Sequence, residues 1–345
     1  PRATLYPKYF TDLKSFSTPR ISSKLLQITD SQSFIRSDLW RSGISNKIPS
    51  YPEAVFTSNI RQSIKDVENN PSIENIQYLL ETSDNDFKYV TDYANDLKLQ
   101  LHGSDITFVV NRNINYTNIC SFKCNFCAFS KGRGHDDLRG KPYNISHEEI
   151  IRRTNEAIER GATEVCLQGG IHPKYSGETY LDIVRAIRSA SSSIHIHAFS
   201  PLEIDHGRKT LNISVKEFLV ELKKAGLNSL PGTAAEILHD EIRAIICPDK
   251  LTSKQWINII ETSHSVGLPT TSTMMFGHVE RNSHVAHHLL KLLNLQQKTN
   301  GITEFVPLPF VADEAPIFRR GQARPGPTFK ETILVHSVAR ILFQG

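Results

Sequence analysis

From about residue 100 the chain repeats one device: a short apolar run, then an amphipathic stretch opened by a hydroxyl side chain and closed by glycine. NISHEEIIRRTNEAIERG places Ser146 where an N-cap belongs, Glu149 three residues on, and Gly161 just past the last turn. That pattern is a capping box with a glycine C′, which fixes both ends of a helix. ISVKEFLVELKKAG repeats it with Ser214, Glu217 and Gly226, and LTSKQWINIIETSHSVG repeats it with Thr252, Gln255 and Gly267. Between these stretches lie β-rich runs: EVCLQ (164–168), IHIHAF (194–199), NSL (228–230), TTSTMM (270–275) and TEFVPL (303–308). With midpoints at Val165, Ile196, Ser229, Thr271 and Glu304, the steps are 31, 33, 42 and 33 residues, the length of a βα unit.

Adding the run before Cys120 gives strands in strict alternation with helices, and that order demands a parallel sheet. A doubly wound sheet and a (β/α) barrel both satisfy it. Gln168, Ser200, Glu203, His278 and Glu280 sit at or just past strand ends. In a barrel all such ends converge on one mouth, so the expected fold is α/β, a partial or full (β/α) TIM-like barrel. The first hundred residues lack the repeat. Residues 1–50 are Ser-rich and irregular and are expected to be a tail or linker. Residues 51–100, with SIENIQYLLE and FKYVTDYANDLKLQ, are expected to form a helical lead-in, and 101–345 the barrel.

Composition removes several functions. Net charge is +4 from 40 basic and 36 acidic side chains, too small and too well mixed for nucleic acid or an anionic membrane surface. No run of 18 apolar residues exists to span a bilayer, and PRATLYPKYF lacks the apolar core of a secretory signal. Five cysteines in 345 residues do not make a disulfide scaffold. They imply a reducing compartment, the cytoplasm or the interior of an organelle.

Three of the five stand together in NICSFKCNFCAF, as C-x3-C-x2-C: Cys120, Cys124 and Cys127. A structural zinc site wants four protein ligands, usually two separated pairs. No second pair follows, although His135 offers a possible fourth ligand. Three thiolates suit a [4Fe–4S] cluster with one iron left open to another ligand. Cys166, inside a strand, and Cys247, ending AIIC before a proline, read as small buried hydrophobes.

C-x3-C-x2-C with an aromatic, Phe126, before the last cysteine resembles the radical S-adenosylmethionine (radical SAM) superfamily. The resemblance implies that the open iron chelates S-adenosylmethionine, and that one electron from the cluster cleaves it to methionine and a 5′-deoxyadenosyl radical. Gln168-Gly169-Gly170 matches the superfamily's Gly-Gly-Glu type motif, whose backbone holds the cofactor's amino group; a plain βα turn is the bland account. Ser200 and Glu203 are candidates for hydrogen bonds to ribose or substrate. His195 and His197 share a strand face. Thr233 and Glu236 read as opening a helix, where capping and ligand contact are both available. Met274 and Met275 read as core.

NRNINYTNIC, CAFSKGRG, TEVCLQGGIHP, HIHAFSPLEI, GLNSLPGTAAEIL, ICPDKL, PTTSTMMFGHVE and TEFVPLPF together resemble the CofH-type half of deazaflavin (FO) synthase over about residues 75–343. RATLYPKYF and DLWRSG resemble the tail of the CofG-type half. The resemblance therefore implies a piece of a fused, bifunctional synthase, with a further barrel segment expected after SVARILFQG. The implied substrates are L-tyrosine and 5-amino-6-(D-ribitylamino)uracil, and the implied partners are the CofG-type domain and a reducing electron donor. The implied reaction breaks the Cα–Cβ bond of tyrosine and joins its 4-hydroxybenzyl group to C5 of the uracil. Radical SAM enzymes of the menaquinone pathway (aminofutalosine synthase, dehypoxanthine-futalosine cyclase) share the loop and are one alternative. A zinc-stabilised binding module without catalysis is another.

Overall fold

The computed structural model describes residues 58–128 and 141–344, together with 18, 20 and 21. The rest of the expected tail, and His135 as a possible ligand, lie outside the described residues. The chain divides into two compact units, Pro1–Val55 and Phe56–Gly345, and the elements that follow belong to the second.

Three helices lead in: α1 (Ser58–Asn69), α2 (Ile73–Leu80) and α3 (Asp84–His102). Ser72 caps α2 by accepting the Asn75 N–H. Ile60, Ile64, Val67, Ile76 and Leu79 recur at helical spacing and are fully buried. Their core is shared with the strand residue Met274 and with Leu334 and Val338 of α12 (Phe329–Phe343). The lead-in is therefore part of the same packed body.

The alternating frame then begins: β1 (Asn111–Asn115), α4 (His147–Glu159), β2 (Glu164–Gln168), α5 (Gly177–Ala190), β3 (His195–Ala198), α6 (Pro201–Thr210) and α7 (Val215–Ala225). It continues with α8 (Asp240–Ile246), α9 (Ser253–Ser265), β4 (Thr270–Phe276), α10 (Asn282–Thr299), β5 (Ile302–Pro309) and the short α11 (Pro316–Arg319). β1, β2 and β3 pair in parallel in that order, and β4 pairs with β5 in parallel. Among the described residues the outer edges of β1 and β5 pair with no strand, which leaves a partial barrel. The expected capping boxes form at Ser214/Glu217 and Thr252/Gln255, and Gly226 ends α7 at φ 117. At α4, Ser146 accepts the Glu149 N–H, but the Glu149 carboxylate turns to Arg152 and Arg153.

Two expectations fail locally. NSL is not a regular strand: it makes one bridge on each side, His197↔Ser229 and Leu230↔Thr270, and so links the two sheets. The Asn228 side chain takes the Ile196 N–H itself, and Pro231 has no N–H to continue the ladder. Nor do Thr233 and Glu236 open a helix. Residues 231–239 are irregular, with Ala234 and Glu236 left-handed at φ 59 and 48, and the helix starts at Asp240. The carbonyls a helix would use are taken elsewhere. The buried Arg243 guanidinium binds those of Ala234 and Ala235, Trp256 Nε1 donates to that of Thr233, and the Met275 N–H to that of Glu236.

Candidate active site

β1 runs into the cysteine loop, and the loop is fastened on three sides. Ser121 donates through N–H and Oγ to the Ile171 carbonyl, both at 2.9 Å, tying the first cysteine to the end of β2. Thr117 accepts the Gly170 N–H through its carbonyl at 2.9 Å. Asn125, between the second and third cysteines, is held through every polar atom it has. Its N–H and Nδ2 donate to the carbonyls of Ile246 and Ile245 at the end of α8. Its own carbonyl accepts the Ile317 N–H, and its Oδ1 accepts from Arg320. Sequence reasoning passed over Asn125, because nothing local says that four partners meet there.

One cavity of about 360 Å³ opens beside this loop. Cys120, Cys124, Cys127, Phe126, Gln168, Gly169, Gly170, Ser200 and Glu203 all line it, so the three cysteines and the six residues expected around the cofactor meet in one place. Gly169 and Gly170 have a packing reason to lack side chains. A Cβ at Gly169 would come within 2.4 Å of the Tyr116 ring, and one at Gly170 within 2.3 Å of the Ile119 carbonyl. The two glycines thus let β2 press its end against the cysteine loop. From there the Ile171 N–H donates to Cys120 Sγ at 3.3 Å.

Ser200 and Glu203 form the capping box of α6, with the Ser200 N–H donating to Glu203 at 2.7 Å. The same carboxylate also accepts from the Tyr116 hydroxyl and from the Gly169 backbone N–H. Burial pushes Glu203 above the usual carboxylate range against these donors, and pushes the fully enclosed Tyr116 phenol well up. Ser200 and Glu203 are cavity wall, but their polar atoms are already engaged in capping α6 and in holding Tyr116 behind it.

The charged feature that the sequence did not advertise is Lys250. Its Nζ lies 2.7 Å from Glu236 and 5.0 Å from the centroid of the Phe126 ring. Burial works against its charge, yet the facing Glu236, with Cys124 and Cys247 beyond, raises its pKa overall. Burial likewise drives the Cys124 thiol up to about 12, with Lys250 opposing. The left-handed turn at Glu236 is what aims its carboxylate at Lys250. Two residues expected at the mouth are elsewhere: His278 and Glu280 do not line the cavity. Glu280 accepts the N–H groups of Gly277 and His278 and pairs with Arg324, closing the turn after β4. Met274 and Met275 are core, as expected.

The donor set distinguishes the two metals under consideration. A single zinc about 2.3 Å from each sulfur would need the sulfurs about 3.8 Å apart. Among the described residues, the triads whose ligand atoms all lie within 4.8 Å are Glu164–His195–His197 and His239–Glu241–His284, not the three cysteines. Cys166 and Cys247 stay outside the cavity, so three spread thiols line it without a fourth. That arrangement fits a four-iron cluster held at three corners, with a cavity over the fourth.

Fold and site define a class, and sequence comparison agrees. The chain belongs to the radical SAM superfamily, whose profile matches residues 114–292. Two solved structures share the architecture at low identity. They are the hydrogenase maturase HydG of Carboxydothermus hydrogenoformans (TM-score 0.61, 17% identity, 82% of this chain and 63% of that one) and methylornithine synthase (TM-score 0.57, 15% identity, 82% and 77%). More particularly, the chain is 44% identical over 272 residues to the 5-amino-6-(D-ribitylamino)uracil–L-tyrosine 4-hydroxyphenyl transferase of Methanothermobacter thermautotrophicus, covering 79% of this chain and 73% of that protein. It is 45% identical over 297 residues to the FO synthase of Mycobacterium leprae, 85% of this chain but only 34% of the relative. The chain thus spans about a third of the FO synthase it matches.

Proposed function

We propose that this chain carries the tyrosine–aminouracil transferase activity of FO synthesis, joining the 4-hydroxybenzyl group of L-tyrosine to 5-amino-6-(D-ribitylamino)uracil. The observation that carries the reading is the meeting of three spread thiols, the Gly169-Gly170 turn and a buried lysine in one cavity at the C-terminal ends of the strands. Cys120, Cys124 and Cys127 would hold the [4Fe–4S] cluster, and the cavity lined by Phe126, Gln168, Gly169, Gly170, Ser200 and Glu203 would take S-adenosylmethionine. Together the two groups supply reductive cleavage that yields a 5′-deoxyadenosyl radical.

The chain's own residues do the positioning. Asn125 and Ser121 fix the thiols' loop to α8 and β2, so the ligand geometry is set before anything binds. Lys250 keeps a proton and a positive charge beside the Cys124–Cys127 turn, an electrostatic partner for a carboxylate. Phe126 and Leu202 give the cavity apolar wall, which limits the water and loose hydrogen donors that quench radicals. The CofG-type domain that completes the deazaflavin ring is the proposed partner, with a low-potential reductant as electron source.

The test is an anaerobic incubation of cluster-loaded protein with tyrosine, the ribitylaminouracil, S-adenosylmethionine and a reductant. The reading expects iminoacetate-derived glyoxylate and the benzylated uracil in step with 5′-deoxyadenosine. Turnover of a futalosine instead would transfer the chain to the menaquinone enzymes.

A further inference from the structure

The interior face of the first three strands is unlike an ordinary barrel core, where branched apolar side chains fill the lumen in layers. On β1, Arg112 and Ile114 face outward: Arg112 pairs with Glu156 of α4 at 2.7 Å, and Ile114 is fully buried. By alternation Asn111, Asn113 and Asn115 face the lumen. On β2, Val165 and Leu167 are buried against the helices, so Glu164, Cys166 and Gln168 face inward. The parallel register stacks these into rows. Asn111, Glu164 and His195 make one, Asn113, Cys166 and His197 the next, and Asn115 and Gln168 the one nearest the mouth. The top row lines the cavity beside the cysteines.

These groups are exposed or half-exposed to the lumen apart from His197, and part of their hydrogen-bonding capacity is unspent. Among the described residues, the Asn113 and Asn115 side chains have no hydrogen-bond partner. Ser229 Oγ stands 2.7 Å from both His195 Nε2 and His197 Nδ1. A hydroxyl has one proton, so at least one imidazole must present an N–H to it, and each ring keeps its second nitrogen for something else.

We infer that the lumen row of Asn113 and His197, with Asn115 above and His195 and Ser229 beside it, is where the pyrimidine acceptor docks: a neutral, polyhydroxylated aminouracil. The inference rests on the proposed function and deepens it. The acceptor offers ring N–H groups, carbonyls, an amine and hydroxyls but no formal charge. Amides, neutral imidazoles and a hydroxyl each donate and accept, which suits such a ligand. Tyrosine, a zwitterion, instead needs fixed opposite charges, which Asn113, Asn115, His197 and Ser229 do not supply. Burial and the neighbouring His195 hold His197 down to about 4, so it stays an uncharged donor and acceptor at neutral pH.

The experiment is equilibrium dialysis of the ribitylaminouracil against the cluster-loaded full chain with S-adenosylmethionine and without tyrosine, repeated for Asn113→Ala and His195→Ala. Asn113 is exposed to the lumen, so its truncation leaves the fold intact, which a melting curve checks. The expected result is measurable binding that weakens about tenfold in Asn113→Ala, the loss of one good hydrogen bond. His195→Ala weakens it too, and tyrosine affinity moves less than roughly threefold in either. No binding to the unsubstituted protein, or a change under roughly threefold in Asn113→Ala, overturns the inference. Turnover is scored separately. Acceptor binding that obeys this pattern without transfer of the benzyl group would leave the site standing and remove the proposed reaction. Transfer with Asn113→Ala indifferent would do the reverse.

Discussion

The two halves of the barrel use polar side chains in opposite ways. In β1–β3 the inward amides of Asn113 and Asn115 face the lumen and, among the described residues, have no hydrogen-bond partner. In β4–β5 the corresponding hydroxyls are consumed by the scaffold. Thr271 Oγ1 accepts the Gly232 N–H at 3.1 Å, and Thr273 Oγ1 donates to the Gly232 carbonyl at 3.0 Å. A Cβ at Gly232 would stand 2.0 Å from the Thr271 carbonyl, so that contact is as close as backbones come. The second half thus secures the irregular 231–239 segment, which aims Glu236 at Lys250 and so furnishes the cavity's charge. The first half, freed from that duty, can offer hydrogen bonds to a ligand. Polarity on a strand's inner face signals binding only where the groups lack partners.

The largest expected effect separates ligand chemistry from folding. Cys124→Ala should lose its iron and visible absorbance almost entirely while the far-ultraviolet CD spectrum keeps its shape; a cluster retained at full occupancy would remove Cys124 from the ligand set. Next comes the buried ion pair, whose side chains are only 12% and 11% exposed. Lys250→Met strands the Glu236 carboxylate and should cost about 3–5 kcal/mol, read as a lower denaturant midpoint. Changing Glu236→Gln in the same chain should restore part of that.

The halves can then be compared directly. Gly232→Ala forces backbone apart in the second half and should cost about 1–3 kcal/mol or more. Asn113→Ala in the first should stay within about 0.5 kcal/mol of the parent. Equal losses would contradict the division of labour.

The smallest effect is a pH profile. Burial lowers His197 to about 4 and His288 to about 3, from 6.5 when unfolded. Above pH 6.5 both are neutral folded or unfolded, so they add no pH dependence. As pH falls below that, the unfolded chain binds the protons first, and stability drops until the folded pKa is reached. The melting temperature should therefore fall between pH 6.5 and 4, and His288→Gln should shallow the fall.

Much of this was legible because it is local. EVCLQ alternates with period two, and β2 spans just those residues; a hydroxyl with Glu or Gln three residues on marks the start of α7 and of α9, and Gly226 the end of α7. Three cysteines in eight residues need no tertiary information to suggest a cluster. What the sequence hid depends on distant partners. Thr233 to Glu236 reads as a helix start until Arg243 and Trp256 claim its carbonyls. His278 and Glu280 stand at a strand end like Gln168, but Arg324 draws them into a turn. Lys250 in ICPDKL looks like an ordinary surface lysine, and only the fold brings it to Glu236 and the Phe126 ring. The Gly-Gly turn suggests close approach to a cofactor, and the first neighbour of Gly169 proves to be Tyr116.

The account stands or falls on an iron cluster gripped by Cys120, Cys124 and Cys127 with one corner open. Iron and acid-labile sulfide should be counted in protein isolated without oxygen, and the reduced protein's EPR spectrum recorded before and after adding S-adenosylmethionine. The account predicts about four irons per chain and a spectrum that changes on addition, because the open iron gains a ligand. Zinc in place of iron, or a reduced cluster whose signal is indifferent to S-adenosylmethionine, would contradict it.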